Sequence, residues 1–429
     1  MKTTKPIRNA LIGALLFTSS LLSAQSLTFS APGGFYEQSF QLTLSCENRD
    51  ATIHYTTNGN TPTVNDYTYT GSLLLNKELL SQSNIYTIVN CPETEFFLPD
   101  SVQKCITIRA AAFNNTGQQI GDIVTNTYLI KSLGCDTHGL PVVSVCADSL
   151  DLFDYERGIF VPGKHFVNWN PDYSGNYYQD GRDWERECNL EFYECNNNGI
   201  NQKAGVRIQG NGSRRFSQKG LKFYARQEYG SKRFKYKFFD DLETDSFKHL
   251  KIKPFRSGYE ELGCQDYLCS QIARMVQVEH LATRPVILFL NGEYWGIYYL
   301  QEKPDERYLE DHFSVDLGQI NIIGNWNGLC EYGSNESFWP FSTGLKTTTC
   351  PMKKTTRTQP VKLTSLISLI IKSLNYSLPT PIGQQTRCGV GRKTVDLGAR
   401  FIMMATLALS SPNSASSPTP PMPKKTITI

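Results

Sequence analysis

The 429-residue chain reads as a multi-domain protein: an all-β sandwich, then an incomplete α+β domain, then a disordered tail. Three observations predict this. Residues 27–131 alternate Thr, Val, Ile and Tyr with breaks at Gly, Asn and Pro, the pattern of short half-buried strands. Residues 140–344 mix strand-like and helical periods. From Leu345 to the end there are twelve Lys/Arg but one acid, Asp396, with no amphipathic period and a Ser/Pro finish, so too little apolar surface is available to offset the cost of ordering.

In chain order, Lys2, Lys5 and Arg8 precede the apolar run "ALIGALLFTSSLL", and "LSAQS" offers a small-residue cleavage site near Ala24. Residues 1–24 therefore read as a signal peptide. The run is too short to span a bilayer, so the chain is expected to be exported (periplasm, cell surface or extracellular) with no transmembrane span. Within 27–131, "ATIHYTTNGNTPT" gives strand alternation before an Asn-Gly turn, and "CITIRAAAFNNTGQQIGDIVTNTYLI" gives a hairpin. His54 lies in a strand and reads as a packed or surface histidine rather than a ligand. After "KSLGCDTHG", the stretch "LPVVSVCADSLDLFDYERGIFVPG" predicts a strand, a short helix and a turn. "CNLEFYE", "AGVRIQG" and "GLKFYAR" predict strands, with "CNNNG" a turn around Asn198. "CQDYLCSQIARMVQVEH" predicts a helix with Tyr267, Ile272 and Val276 near one face, and Asp266 early enough to suit the helix dipole. "PVILFLNGEYWGIYYLQE" predicts a hairpin turning at Asn-Gly, with Tyr294, Trp295 and Tyr298 as core.

The formal charge of +3 hides an asymmetry: without the tail and the three signal bases, 28 bases face 39 acids, so the body gives no footprint for nucleic acid. Twelve cysteines in an exported chain permit disulfides, and Cys188/Cys195 and Cys264/Cys269 are the closest pairs in sequence. Buried thiols or a few disulfides are the expectation. Neither CxxC nor HExxH occurs, so no metal site is expected.

Two resemblances rest on these segments. "IHYTTNGNTPT" with the closing "TNTYLI" resembles the accessory module at the C-terminus of chitobiases and β-hexosaminidases, which carries no catalytic residues. "LPVVSVCADSLDLFDYERGIFVPG", "AGVRIQGNGSRRFSQKGLKFYAR" and "NGEYWGIYYLQEKPDERYLEDHF", in that order, resemble the spore-coat CotH kinase family from about Leu140 to Gly344. That family is similar to protein kinases in fold and transfers phosphate from ATP, so the resemblance implies ATP and Mg²⁺ and, as partner, a co-secreted protein substrate. It assigns nucleotide contact to Arg207, Lys219 and Lys222, with Glu302 as the carboxylate that pairs with a strand lysine. The residues themselves are compatible with this. A Gly/Ser-rich turn can cradle phosphates and a strand lysine can neutralise them. An ordinary basic hairpin and a solvated strand-end glutamate read equally well from residue types alone.

The family's metal-holding acids follow the hairpin, in a helix, a "DW..N" loop and a strand ending "D.D". Nothing of the kind is written after Gly344. Starting each codon at the third base of the codon as written, Leu366 to Val390 can read DFIDYQIFELFIAN-x-DWPAN-x-MRCW, and Arg400 to Ala405 permit F-Y-Y-D-G-D. A helix, a DW..N loop and a D-G-D strand thus recur in the right order in another frame. The expectation is a frame change near Lys346 that leaves 345–429 aberrant and the written chain truncated, with no catalytic residues. Without the helix that packs on the sheet in the family, the "VILFL" and "GIYYL" strands are expected to keep apolar surface uncovered, residues 27–131 to be soluble alone and residues 132–429 to aggregate. The alternative is a cell-surface adhesion protein that recognises glycan or protein through the sandwich.

Overall fold

The computed structural model describes residues 27–92, 95–171, 173–255, 264–276, 278–324, 329–334 and 425–428. The segment 1–24 expected to be a signal peptide lies outside them, as does the tail apart from 425–428. The chain divides into two compact units, Met1–Tyr267 with Ala282–Glu302, and Leu268–Leu281 with Lys303–Ile429.

The first unit opens with the expected sandwich. Strands β1 (Leu27–Phe29), β2 (Gly34–Tyr36), β3 (Leu44–Cys46), β4 (Thr52–Thr56), β5 (Ile106–Phe113) and β6 (Gln119–Ile130) supply it. The main sheet runs β2-β6-β5-β4, with the short strand Tyr67–Thr68 at its edge, and β1 pairs with β3. Strand alternation sorts the side chains. Ile106, Ile108, Ala110, Ile53, Tyr55 and Tyr128 pack with Leu27, Leu42 and Leu44 into one core. His54 is packed rather than on the surface, with its ring edge-on to Phe113.

The second part of this unit is a closed seven-stranded barrel. Its strands are β7 (Val142–Cys146), β8 (Arg186–Tyr193), β9 (Gly199–Gln209), β10 (Gly220–Tyr224), β11 (His249–Pro254), β12 (Thr283–Leu290) and β13 (Glu293–Glu302). Round the barrel the order is β7-β8-β9-β10-β11-β13-β12, closed by a parallel pairing of β12 with β7. Closure removes the sheet edges. Val143, Val145, Leu190, Phe192, Val206, Leu221, Leu250, Val286, Leu288, Tyr298 and Leu300 fill the interior. The helix α1 (Ser149–Phe153) is capped by Asp148, whose carboxylate accepts from the Leu150 N–H.

Each hairpin anticipated from the sequence is present. Asn291 and Gly292 both have positive φ, 48° and 81°, as the tight turn between β12 and β13 requires. Asn291 does more than turn the chain. Its side chain accepts from the Ala147 N–H and donates to the Ala147 carbonyl, each at 2.9 Å, while its own carbonyl accepts from Ser81 Oγ. Asn291→Ala should therefore cost about 2–4 kcal/mol, read as a lower urea midpoint with unchanged slope, because two buried hydrogen bonds and a tolerated left-handed residue go together.

Two expectations are corrected here. The "VILFL" and "GIYYL" strands were expected to leave apolar surface uncovered, since the family's packing helix is missing. Instead Ile287 and Phe289 are covered by Cys105 and Leu129 of the sandwich segment and by Cys135 just after it, and Tyr299 by the stacked rings of Tyr267 and Phe255. The cysteines bear no such correction: of the pair closest in sequence, Cys188 is a buried thiol and Cys195 an exposed one, and the extended strand between them spans about 20 Å. In helix α2 (Gln265–Met275) the buried side chains are Ser270 and Ala273, whereas Val276 lies past its end and is exposed. Asp266 pairs with Lys253, a structural role.

In the second unit, α3 (Glu306–Phe313) starts at Asp305, whose carboxylate accepts from the Arg307 and Tyr308 N–H groups. Its Tyr308 and Leu309 pack with Ile320 and Ile322. These lie on β14 (Ile320–Gly324), which is flanked by β15 (Leu329–Tyr332) and, in parallel, by β16 (Lys425–Thr428). Those last four residues are the described part of the tail, and they are strand rather than coil.

Candidate functional site

On a pleated ladder, residues directly opposed across two strands share a face. Arg207 opposes Lys222, Lys222 opposes Lys251, and Lys251 opposes Gln301. Their neighbours Ile208, Leu221, Ile252 and Leu300 fill the interior, so this file lies on the outer wall of the barrel. Two further pieces of chain meet it there. The connection from α1 to β8 supplies Asp180, Arg182 and Glu185. The short 3-10 turn Gly212–Arg215 between β9 and β10 supplies Arg214.

Two carboxylates organise these cations. Asp180 accepts from Lys222 Nζ at 2.9 and 3.2 Å, from Arg207 Nη1 at 3.1 Å and from Arg214 Nη2 at 3.2 Å. Glu185 accepts from Arg207 Nε at 3.0 Å, from Arg226 Nε and Nη2 at 2.7 and 2.8 Å, from the Tyr229 hydroxyl at 3.1 Å, and from Arg182. The Arg207 guanidinium lies 4.3 Å from the centre of the Tyr224 ring and that of Arg226 lies 4.9 Å from it. The two acids differ in access: the side chain of Glu185 is 1% exposed and that of Asp180 is 43% exposed. With Glu228, which pairs with Arg182, three acids face five cations, a formal excess of two positive charges.

Titration follows this geometry. Burial would raise the Asp180 carboxyl, but Lys222, the Gly181 N–H and Arg214 outweigh it and hold it well below the usual carboxylate range. Burial also acts against the charge of Glu185, and Arg226 and Arg207 overcome it, leaving its carboxyl low. Lys222 moves the other way for a cation. Burial and the like charges of Arg214 and Arg207 outweigh Asp180 and lower its ammonium.

The four residues assigned from the sequence are thus divided. Arg207 and Lys222 meet on the outer wall. Lys219 does not join them. It is fully buried, its Nζ donates to the Arg214 and Phe216 carbonyls at 2.7 and 2.8 Å, and it sits 4.1 Å from the centre of the Tyr177 ring. Burial pushes its ammonium down to about 7. It staples the turn that carries Arg214. Glu302 opposes Leu250, on the inward-facing side, and accepts from the Ala282 N–H. Lys222 is on the opposite face, and Lys219 lies four residues further along the strands, about 13 Å away. A lysine–glutamate pair of the kinase kind is not assembled from these residues.

The sequence reading missed Asp180, Arg182, Glu185, Arg214 and Arg226. The dense charge of "YYQDGRDWERE" was the local signal for Asp180, Arg182 and Glu185, and Arg214 and Arg226 lie in the block "AGVRIQGNGSRRFSQKGLKFYAR"; their partners are set by the fold around them.

Residues 206–375 match the family model described as CotH kinase protein, and residues 31–125 match the chitobiase/β-hexosaminidase C-terminal domain. The chain carries a CotH domain. Its match begins inside β9, later than the first resembling block, and ends 31 residues past Gly344 (375 − 344). No curated protein matches the chain.

ATP and Mg²⁺, which the CotH resemblance implies, fit these residues unequally. The excess of guanidinium and ammonium groups on the outer wall suits phosphate oxygens. A divalent cation does not fit: both carboxylates there are held by arginine and lysine, and no cluster of three His, Cys, Asp or Glu among the described residues could hold a metal. Among the described residues no helix is long and apolar enough to cross a membrane.

Proposed function

We propose that the CotH domain holds the phosphates of a nucleotide such as ATP on the Arg207–Arg214–Lys222 face and that the chain as written does not transfer phosphate. One observation carries the binding half. Three cations converge on Asp180, a single carboxylate open enough to solvent for a phosphate to take its place. The second half is supported by the tail, where Asp396 is the one acid written after Gly344, while a shifted frame offers DW..N and D-G-D. Phosphoryl transfer needs acids to hold metal and orient the acceptor hydroxyl. An exported, truncated, catalytically dead member of the family fits both halves. Reading the encoding DNA decides whether the frame breaks near codon 346, as the loss of acids indicates, or later, as the extent of the family match allows.

The binding test compares ATP affinity, by calorimetry without metal, in three forms of the chain. Lys222→Ala removes a charge-assisted hydrogen bond and should weaken binding about tenfold. Asp180→Asn removes the competing anion and should strengthen it several-fold. Wild-type protein that ignores ATP while glycans stabilise it would instead favour the adhesion reading, and an Asp180→Asn form that binds ATP less well would show the cluster to be purely structural.

A further inference from the structure

The sandwich meets the barrel around a carboxylate whose partners are all neutral. Glu191, on the outward face of β8, is fully buried. Its Oε1 accepts from the Thr127 N–H at 3.0 Å, from the Tyr193 hydroxyl at 2.7 Å and from Asn201 Nδ2 at 3.1 Å. Its Oε2 meets the Thr127 hydroxyl, which also lies 2.8 Å from Ser144 Oγ and 3.3 Å from Thr107 Oγ1. Strands β5 and β6 of the sandwich and β7, β8 and β9 of the barrel therefore converge on one carboxyl group.

Both protonation states satisfy this network. The ionised group accepts from all four donors. The protonated group can donate from Oε2 to Thr127 Oγ1, which then turns its own proton to Ser144 or Thr107. They differ in desolvation, since a buried anion with no cation beside it is the costlier state.

We propose that Glu191 is a proton switch in the joint between sandwich and barrel, tightening the joint when protonated and loosening it when ionised. Burial, outweighing the donors Thr127, Tyr193 and Ser144, pushes this carboxyl up to about 7. The titratable groups around it keep their protons through that range. Burial raises the thiol of Cys146 to about 12, that of Cys105 well above its usual value, and the hydroxyls of Tyr36, Tyr128 and Tyr193 above theirs. The charges on the facing strands have other partners. Arg109 of β5 donates to the Gly59 carbonyl, and Lys203 of β9 pairs with Asp122 and Glu187. Glu293 at the far end of the joint accepts from the Tyr86 N–H and pairs with Lys104 at 3.6 Å.

A carboxyl raised on burial binds its proton more tightly in the closed joint than in the open one. The joint is thus strongest below the ordinary glutamate value and weakens as pH rises through about 7. Between about pH 5.5 and pH 8 the closing equilibrium should fall roughly thirtyfold.

Hydrogen exchange on the full chain, corrected for intrinsic rates, tests this in peptides covering Thr125–Ile130 and Arg186–Tyr193. Wild type should lose roughly thirtyfold in protection across that interval, and Glu191→Gln, fixed in the neutral form, should lose less than about threefold. Equal wild-type protection at both ends, or a Glu191→Gln form that keeps the dependence, overturns the proposal. Should that form fail to fold, Tyr193→Phe decides instead. It withdraws one donor from the ionised carboxylate and must move the midpoint to higher pH, and an unmoved midpoint overturns the proposal equally.

Discussion

Glu185→Ala should destabilise the barrel by about 3–5 kcal/mol, a large part of the roughly 5–15 kcal/mol that holds an ordinary domain folded. The carboxylate is nearly inaccessible and takes hydrogen bonds from Arg207, Arg226, Arg182 and Tyr229. Removing it leaves the largely buried Arg207 guanidinium with only the more exposed Asp180, and leaves Arg226 and Arg207 beside the same Tyr224 ring without the carboxylate they share. Isolated surface pairs would contribute little, but here the penalty is that of an uncompensated buried charge. Glu185→Gln keeps one acceptor oxygen and should cost less. The measurement is the urea midpoint, with an unchanged slope showing that the two-state reference holds.

The pH dependence distinguishes this cluster from the sandwich–barrel joint. Glu185 and Asp180 have folded values below their ordinary ones, so their contribution is present above the ordinary carboxylate range and is lost as pH falls through the lowered values. Glu191 has the opposite sign. Acid should therefore weaken the outer-wall cluster while it tightens the joint, and Glu185→Ala should flatten the acid limb of the stability curve alone.

Local pattern and tertiary placement were unequally legible in the sequence. Strand alternation and the Asn-Gly turn located the hairpin of β12 and β13, because residue period and turn chemistry are local properties. Barrel closure was not legible, since the parallel pairing of β12 with β7 joins residues 145 positions apart (Ile287 to Val142) and leaves no local trace. The same limit divided the site. Arg207 and Lys222 could be read as companions because adjacent strands carry them. Asp180 and Glu185 arrive from a connection whose position depends on the whole barrel. Lys219 shows the converse error: a lysine beside a Gly/Ser turn looks ready for phosphate, yet two carbonyls of that turn hold its amine indoors.

Cutting the chain between sandwich and barrel should unfold or aggregate both pieces, contrary to the expectation that residues 27–131 would be soluble alone while only the remainder aggregates. The sandwich sheet is buried on both faces along β5: one face closes its own core, and the other carries Cys105, Thr107 and Arg109 toward the barrel. Leu129, Val142, Tyr193, Ile287 and Phe289 are each buried in the shared cluster. At about 1.5–3 kcal/mol per large side chain, burying these five contributes about 8–15 kcal/mol, as much as a typical domain's whole stability. Polar groups add to the loss. Asn197 brackets the Phe35 peptide, accepting from its N–H and donating to its carbonyl, and the Asp148 carboxylate accepts from the Thr61 N–H. Separated pieces would expose an apolar patch of the kind that drives association. The full chain should give one calorimetric transition that takes sandwich and barrel together, β12 and β13 included, and residues 27–131 alone should give none. A soluble 27–131 fragment with its own cooperative melt would show that the sandwich core suffices without the barrel wall.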